Sequence, residues 1–122
     1  MVKHTRQSLQ RRARLAALTA VLPGAAVTGE QHLRFAVGQR TFAYYQFDHH
    51  GDGMAALVVK APPGVQGHLI ASGPERFFRP GYLGTRGWVG LRLDRRTVDW
   101  GEVEGLLRTA HALVAPRRLR LP

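Results

Sequence analysis

Over residues 8–21 the apolar positions recur at helical spacing: Leu9, Ala13, Ala16, Ala17 and Ala20 share one side, and Arg11, Arg12 and Arg14 lie elsewhere. This is the pattern of an amphipathic helix with a small-residue face. Leu22-Pro23-Gly24 stops it, because proline cannot continue the hydrogen-bond ladder and glycine accepts the positive φ of a helix end. After a short loop the period drops to two. Leu33, Phe35 and Val37 face one way and His32, Arg34 and Ala36 the other, which predicts a half-buried strand. Gly38-Gln39-Arg40 turns the chain into a strand over residues 41–47, where Phe42, Tyr44 and Tyr45 suit a sheet partly covered on both faces. Tyr44 and Tyr45 alternate, so one of them belongs to the core. Asp48-His49-His50-Gly51-Asp52-Gly53 is a hairpin turn leading to a third strand over residues 54–60.

Pro62-Pro63-Gly64 ends this meander, and residues 65–72 form a short helix that stops at Gly73-Pro74. Phe77 and Phe78 precede a glycine-spaced loop over residues 80–87; residues 88–93 then alternate again, with Val89, Leu91 and Leu93 on one face. Asp99-Trp100-Gly101-Glu102 carries the N-cap and third-position acid of a capping box. It opens a helix whose Val103, Leu106, Leu107, Ala110, Leu113 and Val114 form an i, i+3, i+4, i+7 stripe that must dock on the sheet, and Pro116 closes it. Helix, three-strand meander, short helix, one or two more strands, helix: the predicted fold is α+β, an antiparallel sheet with the N- and C-terminal helices packed on one face. Residues 1–122 read as a single domain, with flexible basic segments expected at 1–10 and 117–122.

Composition narrows the function classes. A 122-residue chain that is 44% hydrophobic has material for one core. Without cysteine, thiol catalysis, disulfides and zinc-thiolate sites are excluded. No apolar run approaches the roughly 20 residues of a membrane span, and the N-terminus continues into arginines rather than a signal core, so a soluble, cytoplasmic protein without a membrane partner is expected. Lys and Arg number 18 against 8 Asp and Glu, a net charge of +10. Residues 1–20 carry five of these cations and no acid, and residues 116–122 carry three more, so the ends hold eight of the net ten. Such a field draws polyanions by screened attraction and counterion release. Arginine outnumbering lysine 16 to 2 also suits the composition of a GC-rich genome.

Binding chemistry is concentrated in the loop at residues 79–88. Arg79 and Arg86 offer guanidinium forks to phosphate, the glycines permit close backbone approach, and Tyr82 or Trp88 offers a stacking face. The structural alternative is that Tyr82 and Trp88 cap the core edge around a tight turn. Arg34, Arg40, Lys60 and Arg92, at outward strand positions, would form a basic stripe if they converge. Arg117 and Arg118 follow a helix C-terminus, where cations also favour the negative end of the dipole. Arg11, Arg12 and Arg14 suit a nucleic-acid surface better than a membrane, given the alanine face beside them. Gly84-Thr85-Arg86-Gly87 has the GXXG spelling of KH domains but precedes a strand instead of joining two helices. Catalysis is not indicated. The His49-His50 pair with Asp48 and Asp52 reads as a polar hairpin, Ala71-Ser72-Gly73 lacks a nucleophile elbow, and Asp99 and Glu102 are caps. No catalytic residue, metal or cofactor is therefore expected.

Leu22-Pro23-Gly24, Phe35-Ala36-Val37-Gly38 running into Thr41-Phe42-Ala43, Lys60-Ala61-Pro62-Pro63, Phe77-Phe78, Tyr82-Leu83-Gly84-Thr85-Arg86-Gly87-Trp88-Val89 and Leu113-Val114-Ala115-Pro116-Arg117 together resemble the MmcQ/YjbR family. The likeness runs through nearly the whole chain, and the Tyr-x-Gly-x-x-Gly-Trp-Val stretch is its most specific part. The resemblance implies an α+β fold similar to bacterial frataxin, with two hairpin wings proposed to grip DNA. An iron role of the frataxin kind would need an acidic ridge, which eight scattered acids do not suggest. The long arginine-bearing N-terminal segment departs from many members of the family. The expectation is a monomeric, non-enzymatic protein that binds double-stranded DNA by electrostatic, weakly sequence-selective contacts through Arg34, Arg40, Arg79, Tyr82, Arg86, Trp88, Arg117 and Arg118. The alternative is a protein- or small-ligand-binding module with incidental nucleic-acid affinity.

Overall fold

The computed structural model describes residues 4–120. Lys3 of the basic N-terminal segment lies outside the described residues, as do residues 121 and 122. The elements in chain order are α1 (Arg6–Ala20), β1 (Ala25–Thr28), β2 (Leu33–Val37), β3 (Arg40–Phe47), β4 (Ala55–Val59), α2 (Val65–Ser72), β5 (Phe77–Phe78), β6 (Val89–Arg92) and α3 (Trp100–Val114), with short 3-10 turns at His49–Gly51, Leu83–Arg86 and Arg117–Leu119. The six strands make one sheet in the order β1-β2-β3-β4-β6-β5, every neighbouring pair antiparallel. This is the expected α+β architecture with one strand more at the β1 edge. The four residues of β1 sit between Gly24 and Gly29, too few to establish a period of two, and they read as a loop until β2 is there to pair with them.

One face of the sheet carries the core. Leu33, Phe35, Tyr45, Leu57, Val59, Val89 and Leu91 alternate onto it, and Leu15 of α1 with Val103, Leu107, Ala110 and Val114 of α3 closes over them. α3 lies across β3 and its neighbours, and α1 against β1. A bulge between Phe35 and Ala36 lets Phe42 and Ala43 both enter the core. Asp99 caps α3 through its side chain, which accepts from the Glu102 amide at 3.1 Å. The stripe of α3 also contains a polar residue: His111 is buried, its Nε2–H donating to the Pro23 carbonyl at 2.7 Å and its ring edge-on to Phe42.

α1 buries a different face from the one its alanines suggested. Leu9 is 50% exposed and Ala13, Ala17 and Ala20 face solvent, whereas Leu15 and Thr19 are buried, Ala16 and Leu18 pack on the core and Arg11 and Arg12 are half-buried. The arginines belong to the docked side because guanidinium groups satisfy backbone carbonyls there. Arg11 donates to the carbonyls of Leu93 (2.7 Å), Arg95 and Arg96 (3.0 Å), and Arg12 to that of Glu30. Arg14 stacks over the Trp100 ring at 4.5 Å. These three arginines, expected on a nucleic-acid surface, fasten α1 to the domain instead. Residues 4–10, assigned to a basic tail, include the Thr5 N-cap and the first turn of α1, and His4 stacks on Phe47 at 3.8 Å.

Candidate functional site

The second face of the sheet positions the candidate residues. Register places Thr28, Arg34, Tyr44, Val58, Gly90 and Phe78 in one row across all six strands. The loop at residues 79–88 folds over this row. Gln66 of α2 fixes it by donating to the carbonyls of Gly84 (2.9 Å) and Trp88 (2.6 Å), and Gly84 is buried beneath the Arg79 side chain. Tyr82 takes φ +58°, a conformation tyrosine rarely adopts, and the residue is 83% exposed. Trp88 is 6% exposed and tilts against Tyr44 with ring centroids 6.0 Å apart. Of the two tyrosines, Tyr45 is the core residue and Tyr44 the outer one.

Under this loop lies a recess of about 460 Å³ lined by Thr41, Tyr44, Lys60, Leu83, Arg86 and Trp88. Two cations and two aromatic rings meet there without a carboxylate in the lining. Arg34 adjoins it, its Nε donating to Thr41 Oγ1 at 2.6 Å and its Nη2 to the Gln39 carbonyl at 3.2 Å. Lys60 is placed by backbone: its amide donates to the Phe42 carbonyl at 2.9 Å, holding the residue at the end of β4 beside the start of β3. Among the described residues no carboxylate pairs with Arg34, Lys60, Arg79 or Arg86. Arg79 and Arg86 are exposed, and Arg34 and Lys60 are half-buried.

The expected basic stripe of Arg34, Arg40, Lys60 and Arg92 does not form. Arg40 turns to the helix side, donating to the Val114 carbonyl at 3.2 Å across the C-terminus of α3. The bulge after Phe35 changes the alternation that would have put it outward. Arg92 lies at the far end of its strand, its Nε and Nη2 donating to the two carboxylate oxygens of Asp94 at 3.1 and 3.2 Å. That fork, ahead of the charge of Asp94, holds its guanidinium still more firmly protonated than usual. Arg34 and Lys60 are the pair that converges. Trp88, offered as a stacking face, is nearly all buried and serves as the wall behind Tyr44. Thr41 is a lining residue that sequence gave no reason to select; its hydroxyl matters only because the β2–β3 pairing brings Arg34 to it.

Arg117 and Arg118 are exposed in the 3-10 turn after α3, and Arg120 donates to the Ala115 carbonyl at 3.1 Å. Leu119 fastens this turn against Gly24. The end of α3, the β2–β3 hairpin, the end of β4 and the start of β6 all lie at one end of the strands. The candidate cations therefore form two groups at this end, Arg34, Lys60 and Arg86 on the outer face and Arg40, Arg117 and Arg118 on the helix side. Six of the eight acids lie toward the other end: Glu30 in the β1–β2 turn, Asp48 and Asp52 in the β3–β4 hairpin, Glu75 before β5, Asp94 after β6 and Asp99 at the N-cap of α3; Glu102 lines a groove that Lys60 also lines, and Glu104 lies beside Leu22 at the end of α1. Acids and arginines pair around β5 and the start of α3, Arg76 with Glu102 at 3.2 Å and Arg95 with Glu75 at 3.8 Å.

The chain matches known proteins at both sequence and fold level. Its backbone superposes on the crystal structure of the Deinococcus radiodurans protein DR2400, a DUF419-domain protein, with a TM-score of 0.71 and 25% identity over 89% of this chain and 84% of that one. No match is found among curated proteins. The YjbR family model covers residues 16–113, from α1 through most of α3, and with it the entire sheet and the loop over its outer face; the chain belongs to the YjbR family.

Proposed function

We propose that the protein binds nucleic acid, double-stranded DNA in the first instance, through the cationic end of its sheet, as a binding protein and not an enzyme. The observation that carries this reading is the charge distribution: among the described residues Arg34, Lys60 and Arg86 form no ion pair around a recess with no acid in its lining, while six of the eight acids lie toward the opposite end. Uncompensated cations within reach of one another suit successive phosphates, and contacts of this kind position a duplex without reading its sequence. The Arg40, Arg117 and Arg118 group extends the positive surface around the same end. A weakly selective, electrostatic mode follows, since among the described residues no base-reading helix is presented on the outer face.

The test is a fluorescence anisotropy titration of a labelled duplex across a salt series. Four or so phosphate contacts give a slope of log K against log salt of about −4. The double variant Lys60→Ala/Arg86→Ala is expected to weaken binding and flatten the slope by about 2. Affinity and slope identical to those of the unaltered protein would remove the recess from the interface. A second reading, a module for a protein or small ligand, is favoured by the groove of about 350 Å³ between α2 and α3, where Ala61, Pro62, Val65, Leu69 and Leu106 supply a mainly apolar lining with Lys60 and Glu102 beside it. Binding through that groove would resist salt.

A further inference from the structure

The recess offers more than a row of surface charges. A continuous duplex approaching the sheet brings phosphates to Lys60 and Arg86, but its bases are stacked inward and show no face to the aromatic wall between them. Tyr44 is half-buried, backed by Trp88 and flanked by Leu83, so a planar group entering the recess meets an aromatic ring set in a largely polar lining that includes Thr41, Lys60 and Arg86. One unpaired nucleotide matches both parts: its phosphate suits Lys60 and Arg86, and its base suits the Tyr44 face. Base stacking on an aromatic side chain is a recurrent mode of single-strand recognition and is indifferent to base identity. The volume of about 460 Å³ lies in the range of roughly 300–1,000 Å³ that holds small organic ligands. Tyr82, next in the chain to Leu83, keeps its ring in solvent at a strained backbone position, a second surface on which the neighbouring base could lie.

We propose that the recess takes a single unpaired nucleotide, so that the favoured partner is DNA with a single-stranded end or gap and not an unbroken duplex. This rests on the nucleic-acid reading above and specifies which form is preferred.

Two labelled duplexes with equal numbers of phosphates, one blunt and one ending in a three-nucleotide overhang, are titrated with the full chain at physiological salt. The overhang is expected to bind about tenfold tighter, the size of one stacked base. Tyr44→Leu should bring the ratio of the two affinities close to one, and Tyr44→Phe, which keeps the ring, should retain it. Arg117→Ala/Arg118→Ala should weaken both duplexes by the same factor and leave the ratio as it is. Equal affinities in the unaltered protein overturn the nucleotide site while leaving duplex binding in place. Absence of binding to either overturns both. A ratio that survives Tyr44→Leu also overturns the proposal, with a thermal melt of each variant showing that it is folded.

Discussion

His4 shows how a single side chain can gain a role that its position in a basic leader does not suggest. Its ring stacks on Phe47 and, at 6.1 Å, on Tyr45, and Nε2 is buried without a hydrogen-bond partner. Burial, then the Arg12 charge and then that of His32, hold its pKa below the ordinary value of 6.5. The sign follows from linkage: once pH falls through about 6.5 the unfolded chain takes up a proton that the folded chain refuses, so stability drops until the folded pKa is passed. His4→Phe keeps the stack and removes the proton. The melting temperature of the variant is expected to fall less between pH 7 and pH 5 than that of the native chain; parallel curves would show that His4 carries no charge penalty. Tyr45 beside it is neutral across the same range, burial, against an opposing pull from Arg12, having pushed its pKa up to about 12.

At the level of elements, short segments are held by side chains rather than by their own length. β5 has two residues and survives because Phe77 enters the core while Phe78 lies across Gly90 of β6 on the outer face. A Cβ at Gly90 would collide with the Phe78 ring, so Gly90→Ala must displace β5 and with it the start of the recess loop. The expected cost is about 2 kcal/mol by chemical denaturation, in the range of overpacked cores. A variant as stable as the native chain would show that the β5 edge adjusts freely. α1 follows the same logic. Its docked face was legible only in part, because Leu15 and Leu18 mark it but two arginines complete it, and arginine on a buried face looks like a solvent position until the carbonyls of Leu93, Arg95, Arg96 and Glu30 are in place.

For the whole molecule, the location of charge outweighs its sum. β3, with eight residues at about 3.4 Å each, separates the two ends of the sheet by about 27 Å, more than three Debye lengths at physiological salt, roughly 8 Å each. Cations at the acidic end are therefore screened from a partner at the other. Arg117→Ala/Arg118→Ala is expected to weaken duplex binding severalfold and flatten the salt slope by about 2. Arg6→Ala/Arg96→Ala, which removes the same charge from exposed positions at the acidic end, should leave the slope within about half a unit. Equal losses from the two double variants would mean that only net charge matters.

Period and punctuation in the sequence determined the α+β class, four of the six strands, all three helices, the α3 stripe and its Asp99 cap, since each of these depends on residues within a few positions of one another. The loop at residues 79–88 also stood out locally, by its glycines, arginines and aromatic rings. Tertiary structure alone decided which cations share a surface. Arg34 and Lys60 are 26 positions apart yet come to one recess through the β2–β3–β4 pairing, Arg34 by its bond to Thr41 and Lys60 in the lining, whereas Arg40 and Arg92 are turned away by a bulge and by Asp94. The terminal cations, seven arginines and Lys3, carry eight of the net ten charges by chain position, and the arginines divide by place in the fold: Arg11, Arg12 and Arg14 hold α1, while Arg117 and Arg118 remain in solvent. The physical reason is that electrostatic and hydrogen-bonding partners are selected by distance in space, and strand pairing sets that distance between residues the chain keeps far apart.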